Sequence, residues 1–278
     1  ATTGGYTMFD LPVPAQKMVH VHAGAEELGR VYQATLPINS GMSQFAAAAK
    51  AMKPVDASAW KADVAAARAD YLKNIEPTPQ PGSANLAEIV GWLNKRLPDD
   101  VIVTNGAGNY AGYVHRFFQY RGFRTQLAPT NGSMGYGVPS AVAAKIAAPG
   151  RTVVSFSGDG CFLMNGQEFA TAVQHGANVV FIVVDNGMYG TIRMHQEREY
   201  PTRVHGTELK NPDFAAYARA FGGHGETVER TADFEAAFER ALSAGKPSII
   251  HVKTDAEAIT SRITMSKLRE QALAKHKH

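Results

Sequence analysis

The middle of the chain alternates between short apolar runs and a segment with a single apolar face. Arg151–Ser157 is a short β-rich run, and Asn178–Val184 is almost wholly apolar, which suits a parallel strand buried on both faces. Between them, Asn165 and Glu168 match the capping box of a helix start, and apolar residues then recur at helical spacing. The pattern predicts a strand, a tight turn, a helix and a second strand.

The same alternation extends over the rest of the chain. Further strands are predicted at Lys17–Val21, Leu36–Asn39, Val101–Thr104 and Ser248–Lys253. Further helices are predicted at Ala25–Arg30, Met42–Met52, Ala57–Ile75, Leu86–Leu97, Val138–Ala147, Tyr189–Gln196 and Phe234–Leu242, with one that Asn211 and Pro212 cap and one at the basic C-terminus. Strands that alternate with helices are typical of an α/β fold with a parallel sheet.

A Pro-rich segment, Glu76–Gly82, divides the chain. Its three prolines remove backbone donors and keep the segment extended, as in a linker. We therefore expect a partial α/β segment over residues 1–75, a linker over residues 76–82, and a doubly wound parallel sheet over residues 83–278.

Two oxygen-bearing side chains follow the two central strands. Asp159 lies between two glycines after the first strand, and Asn186 follows the second. A right-handed strand–helix–strand unit brings both strand ends to one edge of the sheet, so these side chains should face one another. Because neighbouring side chains on a strand point to opposite faces, Asp185 is expected to face away from Asp159.

This pair of side chains favours a magnesium site. One carboxylate, one amide oxygen and a turn carbonyl make a poor cage for a bare cation, but they suit Mg²⁺ that already carries phosphate oxygens and water. The remaining ligands would belong to a phosphorylated cofactor. Backbone N–H groups at Gly158–Cys161 and at the start of the next helix would bind its anionic group.

Composition narrows the class of protein. The net charge of +3 is too small to argue for nucleic acid binding, and the longest apolar run, Val179–Val184, is far shorter than a membrane span. Residues 1–14 have no signal-peptide pattern. A single cysteine excludes an internal disulfide framework and suits the reducing cytoplasm.

One long stretch of the chain is free of acidic residues. From Val101 to Gly158 there is no Asp or Glu, whereas five cations occur. These are Arg116, Arg121, Arg124, Lys145 and Arg151. The imbalance favours an anionic cofactor or a carboxylate substrate.

Three other patterns carry less weight. Asn105–Ala111 contains G-x-G-x-x-A, but no acid follows about twenty residues later to hold a ribose, so Gly106–Asn109 is interpreted as a loop that lines the pocket of a cofactor other than NAD. His20 and His22 share a strand face without a third ligand nearby, so they are interpreted as structural. Ser133 does not lie in G-x-S-x-G, which argues against a hydrolase.

Together these motifs resemble the thiamine-diphosphate enzymes related to acetolactate synthase, benzoylformate decarboxylase and pyruvate decarboxylase. That family carries Gly-Asp-Gly and then Asn-Asn, with the spacing of 27 positions that separates Asp159 from Asn186 here. The resemblance implies that Asp159 and Asn186 are side-chain ligands of Mg²⁺ and that Met188 offers its carbonyl. Asp185 departs from the usual Asn.

The segment Thr130–Gly137 resembles the family's loop around the aminopyrimidine ring. The resemblance implies that the Gly132 carbonyl accepts a hydrogen bond from the 4′-amino group and that Met134 is the wedge that bends the cofactor, so both are assigned catalytic roles. His195 stands where acetolactate synthases have Trp, and it either lines the substrate pocket or is a surface histidine. The residues expected to bind the cofactor are Gly106, Gly108, Asn109, Gly132, Ser133, Met134, Gly158, Asp159, Gly160, Cys161, Asn186, Met188, Tyr189 and Gly190.

The resemblance also implies an activity and partners. These enzymes act on a 2-oxo acid as decarboxylases or carboligases, and a Glu from an N-terminal pyrimidine-binding domain activates the cofactor across a dimer interface. We expect this chain to be the C-terminal half of such an enzyme, inactive alone, in a homodimer or homotetramer, with residues 1–75 as the end of a central domain. Whether FAD binds there is left open. The alternative is a non-catalytic cofactor-binding or regulatory module.

Overall fold

The computed structural model describes residues 8–275, and its contacts divide the chain into two compact units between Ala67 and Arg68. In the first unit, β1 (Val19–His22) pairs in parallel with β2 (Leu36–Asn39), and α1 (Met42–Lys50) follows. The helix predicted at Ala25–Arg30 is a single 3₁₀ turn, Ala25–Glu27. A second 3₁₀ turn, Ser58–Trp60, leads into α2 (Lys61–Asn74), none of whose residues is buried.

The second unit contains a six-stranded parallel sheet. Its strands are β3 (Ile102–Asn105), β4 (Gln126–Leu127), β5 (Val153–Gly158), β6 (Val180–Asp185), β7 (His224–Val228) and β8 (Ser248–Lys253). They are ordered β4-β3-β5-β6-β8-β7, and every pair is parallel. The predicted α/β class is therefore confirmed.

Helices cover both faces of this sheet. They are α3 (Leu86–Arg96), α4 (Asn109–Phe117), α5 (Gly137–Ala147), α6 (Asp159–Asn165), α7 (Phe169–Gln174), α8 (Gly190–Glu199), α9 (Phe214–Ala220), α10 (Thr231–Ser243) and α11 (Met265–Lys275). On β6, Ile182 packs into a core cluster with α3, α4 and α10, whereas Phe181 and Val183 pack into a second cluster with α5, α7 and α9. Alternate side chains of one strand thus serve two cores, as a doubly wound sheet requires.

The segment between β5 and β6 forms more than the single predicted helix. α6 begins directly at Asp159 after the extended residue Gly158, and a 3₁₀ turn follows at Gly166–Glu168. The helix predicted after the Asn165–Glu168 pattern is α7, which begins at Phe169. Asn165 makes no capping bond and donates to the Gly135 carbonyl instead (3.2 Å). Asp213 caps α9 through bonds from two backbone N–H groups, so Asn211 and Pro212 do not form the cap. Across the described residues, no helix combines the length and apolar character needed to cross a membrane.

Candidate functional site

A cavity of about 230 Å³ opens at the carboxyl ends of the parallel strands. From β3 the chain continues to β4 at one edge of the sheet, whereas from β5 it continues to β6 on the opposite side. The winding direction therefore reverses between β3 and β5, and the crevice lies there. Ligands bind at such switch points in open α/β sheets. The segments that follow β3, β5, β6 and β8 all contribute residues to the cavity wall.

Asp159 is the buried acid of this cavity. It sits in the first turn of α6 and is only 3% exposed. Its Oδ1 accepts a hydrogen bond from Gly160 N (2.8 Å), and its Oδ2 accepts one from Asn211 Nδ2 (2.7 Å). Burial raises the pKa of this carboxyl above its usual range, and the neighbouring carboxylate of Asp185 adds to that effect. The cavity thus holds a carboxylate whose charge would be stabilised by a bound cation.

The prediction that Asp185 faces away from Asp159 is wrong. One nitrogen, Asn211 Nδ2, lies 2.7 Å from both Asp159 Oδ2 and Asp185 Oδ1. Strand alternation does put Asp185 on the face opposite to Asn186, because Val184 and Asn186 line the cavity and Asp185 does not. However, Asp159 has already left its strand, and at the sheet edge its carboxylate can be reached from both faces.

His251 holds the other side of Asp185. Its Nε2 lies 2.8 Å from Asp185 Oδ2, and the imidazole is 2% exposed against the ring of Phe214. Burial by itself would raise the pKa of Asp185, but the hydrogen bonds from His251, Gly187 N and Asn211 lower it below its usual range. The pKa values of the two neighbouring acids are therefore shifted in opposite directions, and the negative charge is favoured on Asp185 over Asp159.

The turn after β6 presents Asn186 and Met188 to the cavity. Asn186 Oδ1 accepts a hydrogen bond from Met188 N (3.3 Å), and Gly187 between them takes φ +70°, which favours glycine. The turn is fastened to the segment before Asn211, because Leu209 N donates to Gly187 O and Tyr189 N donates to Thr207 O, both at 2.9 Å. Neither bond uses the Met188 carbonyl.

The loop after β3 is joined to the start of α8 across the cavity. Asn109 N donates to Thr191 Oγ1 (3.1 Å), and that hydroxyl donates to Asn109 Oδ1 (3.0 Å). Close packing explains the glycines here. A Cβ at Gly108, whose φ is +156°, would lie 2.7 Å from the Tyr110 ring, and one at Gly158 would lie 2.9 Å from it. Side chains at these positions would displace the ring and narrow the cavity.

The loop that carries Gly132 and Met134 is held by α6 at a single residue, Gly135. Cys161 Sγ accepts a hydrogen bond from Gly135 N (3.2 Å), and Asn165 Nδ2 donates to Gly135 O (3.2 Å). Tyr110 also donates its hydroxyl to Cys161 Sγ (3.2 Å). The cysteine thus ties the loop to the helix that carries Asp159.

The cavity brings together most of the predicted site residues. Those that line it are Gly108, Asn109, Gly132, Met134, Gly158, Asp159, Gly160, Cys161, Asn186, Met188, Tyr189 and Gly190. Three are placed elsewhere: Gly106 packs against Cys161 and Tyr110, the hydroxyl of Ser133 donates to Asn131 Oδ1 (2.8 Å), and His195 is an exposed residue of α8.

The five cations of the acid-free stretch are absent from the cavity wall within residues 8–275. Arg116 donates to the carbonyls of Asn74 and Ser261, and Lys145 donates to those of Pro149 and Arg151. These five side chains therefore contribute no positive charge to the cavity wall. Asn211 and His251 were missing from the prediction, because neither belongs to a motif with a recognisable spacing.

Comparison with known proteins assigns this cofactor-binding α/β domain to a family. Residues 106–252 match the family model described as "Thiamine pyrophosphate enzyme, C-terminal TPP binding domain". The match covers more than half of the chain and includes the loop after β3, the Asp159 turn and the turn after β6. The chain belongs to the thiamine pyrophosphate (thiamine diphosphate) enzymes, and it contains their C-terminal cofactor-binding domain.

Individual relatives agree with this assignment. The chain is 29% identical over 245 residues to the acetolactate synthase isozyme 2 large subunit of Escherichia coli K12, covering 87% of this chain and 44% of that protein. It is 33% identical over 158 residues to the sulfoacetaldehyde acetyltransferase of Castellaniella defragrans, covering 56% of this chain and 26% of that protein. The crystal structure of benzoylformate decarboxylase from Polynucleobacter necessarius superposes with a TM-score of 0.57 at 25% identity, covering 65% and 35% of the two chains. The chain thus spans less than half the length of these relatives.

Proposed function

We propose that this chain is the cofactor-binding part of a thiamine-diphosphate- and Mg²⁺-dependent enzyme that acts on a 2-oxo acid as a decarboxylase or carboligase of the acetolactate synthase type. The observation that carries the proposal is the buried carboxylate of Asp159 in the wall of a cavity at the switch point, with Asn186 and Met188 in the same wall. The free, buried cysteine suits a reducing compartment, so we assign the enzyme to the cytoplasm.

The donor set fits magnesium. Asp159 contributes a carboxylate, Asn186 an amide oxygen and Met188 a carbonyl that the turn does not use. Within residues 8–275 no three His, Cys, Asp or Glu side chains are grouped to hold a metal ion. A single carboxylate is what Mg²⁺ needs when phosphate oxygens and water complete its octahedron. The site would therefore bind the metal together with a diphosphate and weakly without one.

Backbone groups supply the anion-binding side of the site. Tyr189 and Gly190 line the cavity where α8 begins, and the N–H groups of a first helical turn have no partners inside the helix. The glycines of the turn Gly158–Cys161 let the main chain approach a ligand closely. These groups would bind and orient the diphosphate without a cationic side chain.

The opposite end of the cavity is suited to an aromatic ring. Gly132 takes φ +72°, and Met134, which is 37% exposed, forms part of the wall. In our proposal the Gly132 carbonyl accepts a hydrogen bond from the aminopyrimidine, and the Met134 side chain sets the angle between the two rings. When bound, thiamine diphosphate would supply a nucleophilic carbon for the 2-oxo-acid carbonyl and a thiazolium ring that accepts the electron pair left by CO₂.

A partner completes the site in this proposal. No glutamate lines the cavity in the described part of the chain, although the family relies on one to activate the pyrimidine. We assign that Glu to a pyrimidine-binding domain or subunit that covers Met134 and Gly132 in a homo-oligomer. Covering the cavity would also exclude water, which strengthens the electrostatic interactions inside it.

The test is CO₂ release from pyruvate and benzoylformate, measured at saturating thiamine diphosphate and Mg²⁺. The chain alone should be inactive, because it lacks a general-base contribution of about 10²–10⁴-fold. Addition of the pyrimidine-binding part should restore turnover. Turnover of about one per second by the chain alone, an ordinary enzyme rate, would contradict the need for a partner. Inactivity of the assembled protein on both acids would favour a non-catalytic module instead.

A further inference from the structure

A chain of partly buried hydrogen bonds runs behind the cavity wall. Asn211 Nδ2 donates to Asp159 Oδ2 and to Asp185 Oδ1, both at 2.7 Å, and Asp185 Oδ2 lies 2.8 Å from His251 Nε2. Asp159 and His251 are 3% and 2% exposed. Because one nitrogen contacts both acids, Asp159 Oδ2 and Asp185 Oδ1 are separated by no more than the sum of the two hydrogen-bond lengths. Two carboxyl groups therefore approach closely at the edge of the sheet.

The amide of Asn211 can face these acids in one orientation only. Ionised carboxylates accept hydrogen bonds and cannot donate them, so the amide nitrogen must point toward both. Its oxygen, Oδ1, is buried without a donor among residues 8–275. A flipped amide would turn that oxygen against two carboxylates. Both N–H groups of Asn211 are therefore committed to separating Asp159 from Asp185.

The backbone around Asn211 is fixed on both sides. Before it, the bonds of Thr207 and Leu209 fasten the segment to the turn after β6. After it, the Asp213 side chain caps α9 through Ala215 N (2.9 Å) and Ala216 N (3.0 Å). A side chain held this firmly can fix the orientation of the carboxylate that it bonds.

We propose that Asn211 is a positioning residue for the Asp159 carboxylate: its amide holds that carboxylate apart from the carboxylate of Asp185, which His251 contacts on its far side. The inference rests on the proposed function, in which Asp159 is a magnesium ligand. Asn211 holds one oxygen of that ligand and offsets the repulsion from Asp185, which stands where the family usually has Asn. The need for Asn211 therefore depends on the negative charge of Asp185.

The test is a set of four proteins, namely the parent, Asn211→Ala, Asp185→Asn and the double variant. Calorimetry with thiamine diphosphate present in excess would give the Kd of Mg²⁺, and Mn²⁺ bound in its place would be followed by electron paramagnetic resonance. Loss of a hydrogen-bonding partner behind a metal ligand typically weakens the metal about 10- to 100-fold, so Asn211→Ala should show a loss in that range. Asp185→Asn removes the repulsion and should bind Mg²⁺ at least as tightly as the parent.

The double variant separates positioning from a structural role. If Asn211 offsets the charge of Asp185, removing that charge should bring the double variant back to within about threefold of Asp185→Asn, well inside one factor of ten. If Asn211 only fastened its segment, the double variant would bind as weakly as Asn211→Ala, which would overturn the proposal. A parental Kd for Asn211→Ala would overturn it as well.

Two further variants complete the test, one as a control and one as a substitute for Asn211→Ala. Asn94 lies on α3 outside the cavity wall, and its Oδ1 accepts a hydrogen bond from Gln119 N, so Asn94→Ala should bind Mg²⁺ like the parent. If Asn211→Ala does not fold, Asn211→Asp keeps the size and loses the donor, and it should bind at least about tenfold more weakly; parental affinity for that variant would overturn the proposal. Absence of Mg²⁺-dependent binding in the parent would refute the proposed function itself, a result distinct from these.

Discussion

Glu197 offers a sharp test of how α8 is held in place. Its side chain is fully buried, and its carboxylate accepts hydrogen bonds from Arg269 Nε (2.8 Å) and Nη2 (2.7 Å), from Arg193 Nη2 (2.8 Å) and from Thr202 N (3.0 Å). Arg269 belongs to α11, so this bidentate ion pair joins α11 to α8, the helix that begins at Gly190 in the cavity wall. We predict that Glu197→Gln destabilises the fold markedly at pH 7.

The magnitude follows from the pKa of the buried acid. The hydrogen bonds from Arg269, together with those from Thr202 N and Arg193, lower the pKa of Glu197 from 4.5 to about 2. At about 1.36 kcal/mol per pKa unit this corresponds to roughly 3 kcal/mol, and breaking a buried ion pair typically costs about 3–5 kcal/mol. Because the folded pKa is depressed, the stabilisation is complete above pH 4.5 and is lost as the pH falls toward 2.

The assay is urea unfolding of the parent and of Glu197→Gln at several pH values. The difference in unfolding free energy should be about 3 kcal/mol from pH 6 to 8 and should shrink below pH 4.5. Glu270→Gln is the matched control, because Glu270 lies on α11 with its side chain 68% exposed; it should change stability by less than about 0.5 kcal/mol. A difference under about 1 kcal/mol for Glu197→Gln, or one that grows at low pH, would refute this explanation.

Two further predictions concern the cavity. Met134→Ala should leave the affinity for thiamine diphosphate nearly unchanged but slow the exchange of its C2 proton at least about tenfold in the assembled enzyme, as followed by NMR; an unchanged exchange rate would reject the wedge role. Cys161, the only cysteine, should be alkylated slowly by iodoacetamide, and more slowly still with thiamine diphosphate and Mg²⁺ present. Alkylation should be faster in Asn165→Ala, because that variant loses the hydrogen bond to Gly135 O. Equal rates in all three cases would contradict the placement of the thiol in the site.

The central elements of the fold were predictable because their sequence signal is strong. β5 and β6 are apolar runs buried on both faces, and β2 and β8 have the predicted bounds. β4 and β7 were missed because they are edge strands. β4 has two residues, and β7 reads His-Gly-Glu-Thr-Val, so neither shows the apolar run of a central strand. The boundaries predicted for the linker and for the domain at residues 83–278 remain predictions.

The candidate site was predictable where a short motif fixes the geometry. Asp159, Asn186 and Met188 follow neighbouring parallel strands, and strand order alone brings them to one cavity. Asn211 and His251 come from distant segments, and no spacing relates them to Asp159. Asn211 also precedes Pro212, which favours an interpretation as a helix start, whereas the capping bonds are made by Asp213. The prediction that Asp185 faces away from Asp159 failed because strand alternation fixes the side of Asp185 on β6 but not the position of Asp159, which is already in α6.

The most direct test of the account is the calorimetric titration of thiamine diphosphate into the parent chain and into Asp159→Ala, each with Mg²⁺ and again with EDTA. Asp233→Ala is the control, since that acid pairs with Arg230 at the surface and lies outside the cavity wall. We predict that the parent and the control bind the cofactor in a Mg²⁺-dependent manner, and that Asp159→Ala binds at least about tenfold more weakly, a difference of roughly 1.4 kcal/mol. Equal affinity in the parent and in Asp159→Ala would contradict the assignment of this cavity as the magnesium and diphosphate site.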